Sequence, residues 1–115
     1  MGERFFPLFV NLKNRKCTVI GCGEIGFRKV KILLEFGAKV KVISEEITPK
    51  ILEELESLSI ESIQIKKFEE SDLSESFLVV AATGNRELND EIVALCEEKK
   101  ILSNNATSKD KMAIS

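Results

Sequence analysis

The hexapeptide Gly21-Cys22-Gly23-Glu24-Ile25-Gly26 limits the folds open to this chain more than any other feature, because of what stands on either side of it. Before it, Cys17-Thr18-Val19-Ile20 is a short, apolar, partly β-branched run ending in glycine, the pattern of a parallel strand buried on both faces. After it, Ile25, Val30, Leu33 and Leu34 recur at helical spacing, which predicts a helix over 24–36, with Gly37 placed for a left-handed C-cap. G-x-G-x-x-G is a weak signal alone and a specific one between a strand and a helix. In that context Gly21 makes a tight turn, Gly23 lets a pyrophosphate approach the backbone, and Gly26 lets helix and strand pack closely. The alternative is an ordinary glycine-rich turn.

The remaining pattern extends this unit. Val40-Lys41-Val42-Ile43 reads as a second strand, so the helix between makes a βαβ crossover and the sheet is parallel. Pro49 opens a helix running to about Leu58, with Ile51, Leu52, Leu55 and Leu58 on one face. Residues 62–66 alternate apolar and polar, as an edge strand does, and 77–82 form the most apolar run, suited to a central strand closed by Thr83-Gly84-Asn85. A helix over 88–100 and a short strand over 101–103 complete the order. The expected fold is α/β: one Rossmann-type, doubly wound, three-layer domain over 1–115, strand order 3-2-1-4-5, with its ligand crevice at the carboxyl end of the first strand.

Composition removes several function classes. Seventeen basic and nineteen acidic residues leave a net charge of -2, which offers no bulk positive field for nucleic acid. No apolar run approaches the roughly 20 residues of a membrane-spanning helix, and the first ten residues lack the pattern of a secretory signal, so the cytoplasm is the expected location. Cys17, Cys22 and Cys96 form no C-x-x-C pair, which argues against a disulfide framework or a metal site. Histidine is absent, which excludes a Ser-His-Asp triad.

Ser44-Glu45-Glu46 follows the second strand, about 20 residues after the glycines, where a dinucleotide domain carries its ribose-binding acid. A carboxylate there accepts hydrogen bonds from ribose hydroxyls and repels the 2′-phosphate of NADP, and no arginine stands at this tip to receive that phosphate. The expected cofactor is therefore NAD. Glu45 and Glu46 have a second possible role as first-turn acids of the following helix.

Beyond these motifs, Phe6-Pro7-Leu8-Phe9, Asn11-Leu12, Arg15-Lys16, Arg28-Lys29-Val30, Leu33-Leu34, Gly37-Ala38-Lys39-Val40, Phe77 to Thr83, Leu88-Asn89 and Asn104 resemble the precorrin-2 dehydrogenases and the N-terminal module of siroheme synthase over most of the chain. The resemblance implies oxidation of precorrin-2 to sirohydrochlorin on the way to siroheme or cobalamin, with NAD taking a hydride and the tetrapyrrole losing a proton. Some members also insert iron. The resemblance adds Ala82, Thr83 and Asn104 to the cofactor site that Gly21 to Gly26 and Ser44 to Glu46 outline. Arg28, Lys29, Lys109 and Lys111 are candidates for the substrate's carboxylates, with solvated surface charge as the other reading.

The chain departs from the family at Thr107, which stands where the pattern has an aspartate proposed as the catalytic group. A threonine hydroxyl is no substitute for a carboxylate base near neutral pH, so Asp110, three residues on, becomes the candidate acid or base, with a solvated loop acid as its plain alternative. The family continues into a helical dimerisation and substrate region, and Lys111 to Ser115 reads as the start of an element cut short. A truncated chain is expected, with a homodimer for the full-length protein. Two rival functions share the glycine turn: an NAD-sensing regulatory domain of a potassium transport system, and a degenerate NAD-binding domain without turnover.

Overall fold

The structure is a computed structural model that describes residues 11–106. Five parallel strands form one sheet in the order β3-β2-β1-β4-β5, the order expected. They are β1 (Lys16–Ile20), β2 (Lys39–Ser44), β3 (Ser62–Ile65), β4 (Leu78–Ala81) and β5 (Leu102–Asn105), and they alternate with helices α1 (Glu24–Glu35), α2 (Pro49–Glu56) and α3 (Arg86–Lys99). β1 sits at the centre, with Val19 opposite Val42 on one side and Val80 on the other.

The period-2 alternation of the strands divides the core into two layers. Val19, Val40, Val42, Leu78 and Val80 pack with Val30 and Leu33 of α1 and Leu55 of α2. Ile20, Val79 and Ala81 point the opposite way and pack with Ile92 and Cys96 of α3. β1 and β4 are thus covered on both faces, which is why their sequences are continuously apolar. β3 lies at one edge, and Ile65 is exposed there.

Element ends differ from the sequence expectation for identifiable reasons. α1 closes with Gly37 at φ +82, while the Ala38 and Gly37 N–H groups return to Leu33 and Leu34 carbonyls, the left-handed cap the glycine predicts. α2 stops at Glu56, short of Leu58. α3 begins at Arg86, ahead of the apolar face that starts at Leu88, because the Asn85 side chain caps it by accepting the Leu88 N–H. β5 covers Leu102–Asn105, displaced from the expected 101–103. Lys100 turns left-handed at φ 60 and the Ile101 N–H is spent on the Cys96 carbonyl, so the ladder with β4 starts only at Leu102. A 3-10 turn at Glu70–Leu73, between β3 and β4, has no counterpart in the periodicity.

Candidate functional site

A cleft of about 630 Å³ opens at the carboxyl ends of β1, β2 and β4, where strand order reverses about β1. One wall is the glycine turn. Gly21 takes φ +92, and a Cβ there would lie 2.5 Å from the Ala82 carbonyl oxygen and 2.6 Å from Thr83 Cα, so the turn lies flush against the end of β4. A Cβ on Gly26 would run into the Gly21 carbonyl, so this glycine lets α1 close on the turn. At Gly23 a Cβ meets nothing within 4 Å. Two of the glycines serve the protein's own packing, and the third faces empty cleft.

Gly23 is the N-cap of α1 and has no side chain to offer, and the first helical bond is Phe27 N–H to Gly23 carbonyl. The N–H groups of Glu24, Ile25 and Gly26 therefore have no acceptor inside the helix and sit at its positive end. Cys22 lies in the same turn. Burial pushes its thiol up to about 11, and those of Cys17 and Cys96 likewise, so all three are neutral near pH 7 and ill suited to nucleophilic attack.

Ser44 ties this wall to the acidic tip. Its Oγ accepts the Cys22 N–H at 3.1 Å and donates to the Glu46 carbonyl at 2.7 Å. Ser44 is expected from the sequence as part of the tip, and its bridging role depends on the β1–β2 register, which sequence alone does not show. Glu45 and Glu46 are exposed and line the cleft. They precede the Thr48 cap of α2, whose first turn holds no acid, so their alternative role in that helix is set aside. Ser44→Ala would leave a buried N–H without an acceptor and free the tip. The expected cost is about 1–3 kcal/mol in thermal or denaturant unfolding, together with weaker dinucleotide binding in calorimetry. An unchanged unfolding midpoint would contradict the bridging role.

The opposite wall is the turn after β4. Asn89 is buried on α3, and its Oδ1 accepts both the N–H (3.0 Å) and the hydroxyl (2.6 Å) of Thr83, while its Nδ2 donates to the Thr83 carbonyl at 3.1 Å. The Asn85 N–H donates in turn to Thr83 Oγ1 at 3.1 Å. These bonds fix Thr83 at the cleft's edge and give Asn89 a task that helical spacing did not suggest. Lys66 and Phe68, following β3, complete the lining and carried no sequence signal.

Of the sequence-derived cofactor residues, Gly21, Cys22, Gly23, Glu24, Ile25, Ser44, Glu45, Glu46, Ala82 and Thr83 come together in this lining. Gly26 stands behind the turn. Asn104, half-buried on β5 opposite Val80, is not among the lining residues, nor are Arg28 and Lys29. Phe6 to Phe9, Thr107, Lys109, Asp110 and Lys111 lie outside the described residues. Among the described residues no helix is long and apolar enough to cross a membrane.

Several known proteins are similar to this chain in sequence or fold. Residues 8–114 match the model of a family described as putative NAD(P)-binding. The siroheme synthase of Baumannia cicadellinicola is 37% identical over 87% of this chain and 21% of its own length. A probable multifunctional siroheme biosynthesis protein, HemA, of Ruminiclostridium josui is 38% identical over 84% of this chain and 18% of its own. The chain thus spans about a fifth of the length of these curated relatives. Among solved structures, SirC, a precorrin-2 dehydrogenase, superposes with a TM-score of 0.64 at 28% identity, over 88% of this chain and 49% of that one. The apo-structure of D-lactate dehydrogenase from Escherichia coli, at 19% identity and a TM-score of 0.60 over 86% of this chain and 30% of that one, shares the fold. With a glycine turn, an acidic tip and a sheet reversal in the places such a site requires, the chain belongs to the family of NAD(P)-binding domains found in siroheme synthases and precorrin-2 dehydrogenases.

Proposed function

We propose that this chain is the NAD-binding domain of a precorrin-2 dehydrogenase, which oxidises precorrin-2 to sirohydrochlorin in siroheme or cobalamin formation. The observation that carries the reading is the open space at Gly23 over the start of α1, facing Glu45 and Glu46 across one cleft, in a relative of siroheme synthases and SirC. The N–H groups of Glu24, Ile25 and Gly26 would hold the pyrophosphate, as helix N-termini do. Glu45 and Glu46 would accept the adenosine ribose hydroxyls, and their charge favours NAD over NADP. Thr83, held by Asn89, would border the nicotinamide half, because it lies on the far side of the turn from the acidic tip.

NAD supplies the hydride acceptor in this chemistry. The protein orients the reduced macrocycle against the cleft, keeps water out and takes the proton that leaves the tetrapyrrole. Asp110 is the proposed proton acceptor, standing in for the position that Thr107 occupies, and Arg28, Lys29, Lys109 and Lys111 are the proposed partners of the substrate carboxylates. Asn104, on β5 opposite Val80, is a proposed cofactor contact in this reading. The enzyme is a cytoplasmic homodimer in its intact form.

Asp110→Asn is expected to lower turnover by roughly 100-fold or more while NAD affinity stays unchanged, the signature of a lost general base. A fully active variant would dispose of that assignment. The activity itself is tested by mixing the intact gene product with precorrin-2 and NAD and following NADH absorbance, with one NADH expected per tetrapyrrole oxidised. NAD binding without any NADH would rule the dehydrogenase out and leave the sensing or degenerate domain.

A further inference from the structure

Among the described residues, Lys66 is the one cation lining the cleft. Ser44 and Ile65 are paired across β2 and β3, and the Lys66 N–H donates to the Ser44 carbonyl at 2.9 Å. Lys66 therefore leaves β3 level with the point at which Glu45 leaves β2, on the ribose side of the cleft. A cation there is the expected receptor for a 2′-phosphate, and it runs against the preference that Glu45 and Glu46 impose.

The ammonium is engaged elsewhere. Lys66 Nζ donates to Asp72 Oδ2 at 2.7 Å and to the Lys67 carbonyl at 3.2 Å, and Glu69 Oε1 stands 3.6 Å away. Asp72 is in turn fixed, since its Oδ2 also accepts the Glu69 N–H at 2.7 Å and its side chain is only 10% exposed within the 3-10 turn. The hydrogen bond to Asp72 holds the Lys66 ammonium above the ordinary lysine range, so it stays charged throughout the neutral range. Asp72 does not line the cleft.

We infer that Asp72 is a specificity-determining residue that acts through Lys66: by holding the ammonium against the 3-10 turn, it denies a 2′-phosphate the one cationic partner that the described residues place in the cleft and enforces the choice of NAD. The inference rests on the reading of the cleft as a dinucleotide site. Removing the Asp72 charge turns its ion pair with Lys66 into a weaker neutral hydrogen bond, so the ammonium can leave for a strongly anionic 2′-phosphate, and the cleft then accepts NADP. Asparagine keeps an oxygen for the Glu69 N–H, so the turn can persist.

The test is calorimetric titration of NAD and of NADP into the wild-type protein, Asp72→Asn, Lys66→Gln and the double variant. The wild type binds NAD and binds NADP weakly. D72N should tighten NADP roughly tenfold with NAD unchanged, and adding K66Q should abolish the gain, a coupling that general loosening of the turn would not produce. An unchanged ratio of the two affinities in folded D72N overturns the inference. Should D72N fail to fold, K66Q alone decides: an engaged ammonium predicts NADP affinity within about threefold of wild type, whereas a tenfold loss would show that Lys66 already serves the phosphate. Absence of NAD binding by the wild type would instead defeat the dinucleotide reading itself.

Discussion

Gly23→Val is expected to give a folded domain that no longer binds NAD. Gly23 has φ -82, outside the left-handed region, with ψ -154 at the margin of the extended one, and the space where its Cβ would stand is empty to 4 Å, so no residue beyond its chain neighbours opposes a Cβ there. The cost to the fold is the poorer N-cap that valine makes, about 1 kcal/mol. The cost to binding is far greater. A branched side chain would occupy the approach to the unpaired N–H groups of Glu24, Ile25 and Gly26, which a pyrophosphate needs within hydrogen-bond distance. A loss of at least roughly 100-fold in calorimetric affinity is expected, about 2.7 kcal/mol, with a native far-ultraviolet dichroism spectrum. Unaltered affinity would show that the ligand does not sit at this turn.

Gly21→Ala should do the reverse and damage the fold first. Position 21 is left-handed at φ +92, and a methyl group there meets backbone atoms, the Ala82 carbonyl at 2.5 Å and Thr83 Cα at 2.6 Å, rather than a side chain that can rotate away. Strain at the dihedral and separation of β1's end from β4's end add together, for an expected loss of roughly 3 kcal/mol or more. In a domain of this size that lowers the melting temperature by roughly 12 °C or more. Because native stability is itself only about 5–15 kcal/mol, a loss of this size removes a large fraction of it. A melting temperature within 2–3 °C of wild type, about half a kcal/mol or less, would mean that the turn is not packed against β4 as described. Within one motif, then, neighbouring glycines separate folding from binding.

What the sequence disclosed, and what it did not, follows from the range of the interactions involved. β1, the glycine turn and α1 are local: a β-branched run, a residue needing φ above zero and a 3.6-residue apolar spacing each act within a few positions. The strand order also follows, since parallel neighbours joined by helical crossovers admit few topologies. β5 starts later than the pattern suggests because the left-handed Lys100, a conformation that sequence patterns assign to glycine or asparagine, turns the Ile101 N–H onto the Cys96 carbonyl and leaves Leu102 to open the ladder.

The candidate site was legible where a motif carries it and not where distant segments meet. Gly23, Glu45 and Glu46 announce themselves by spacing. The Ser44 bridge to Cys22 spans 22 positions and exists only because β1 and β2 pair in one register. Lys66 and Phe68 reach the cleft from the segment just past the edge strand β3, whose alternation says nothing of where that segment turns, and the Asp72 clamp on Lys66 forms in a 3-10 turn too short to leave a pattern. Asn89 was visible as part of a resemblance, while its task of holding Thr83 appears only when α3 is set beside the end of β4.

A crystal structure of this domain grown with NAD decides where the dinucleotide sits. The expectation is a pyrophosphate at Gly23 within hydrogen-bond distance of the first N–H groups of α1, with the adenosine ribose at Glu45 or Glu46. A cofactor bound elsewhere, or a cleft without density in crystals grown at saturating NAD, would contradict it.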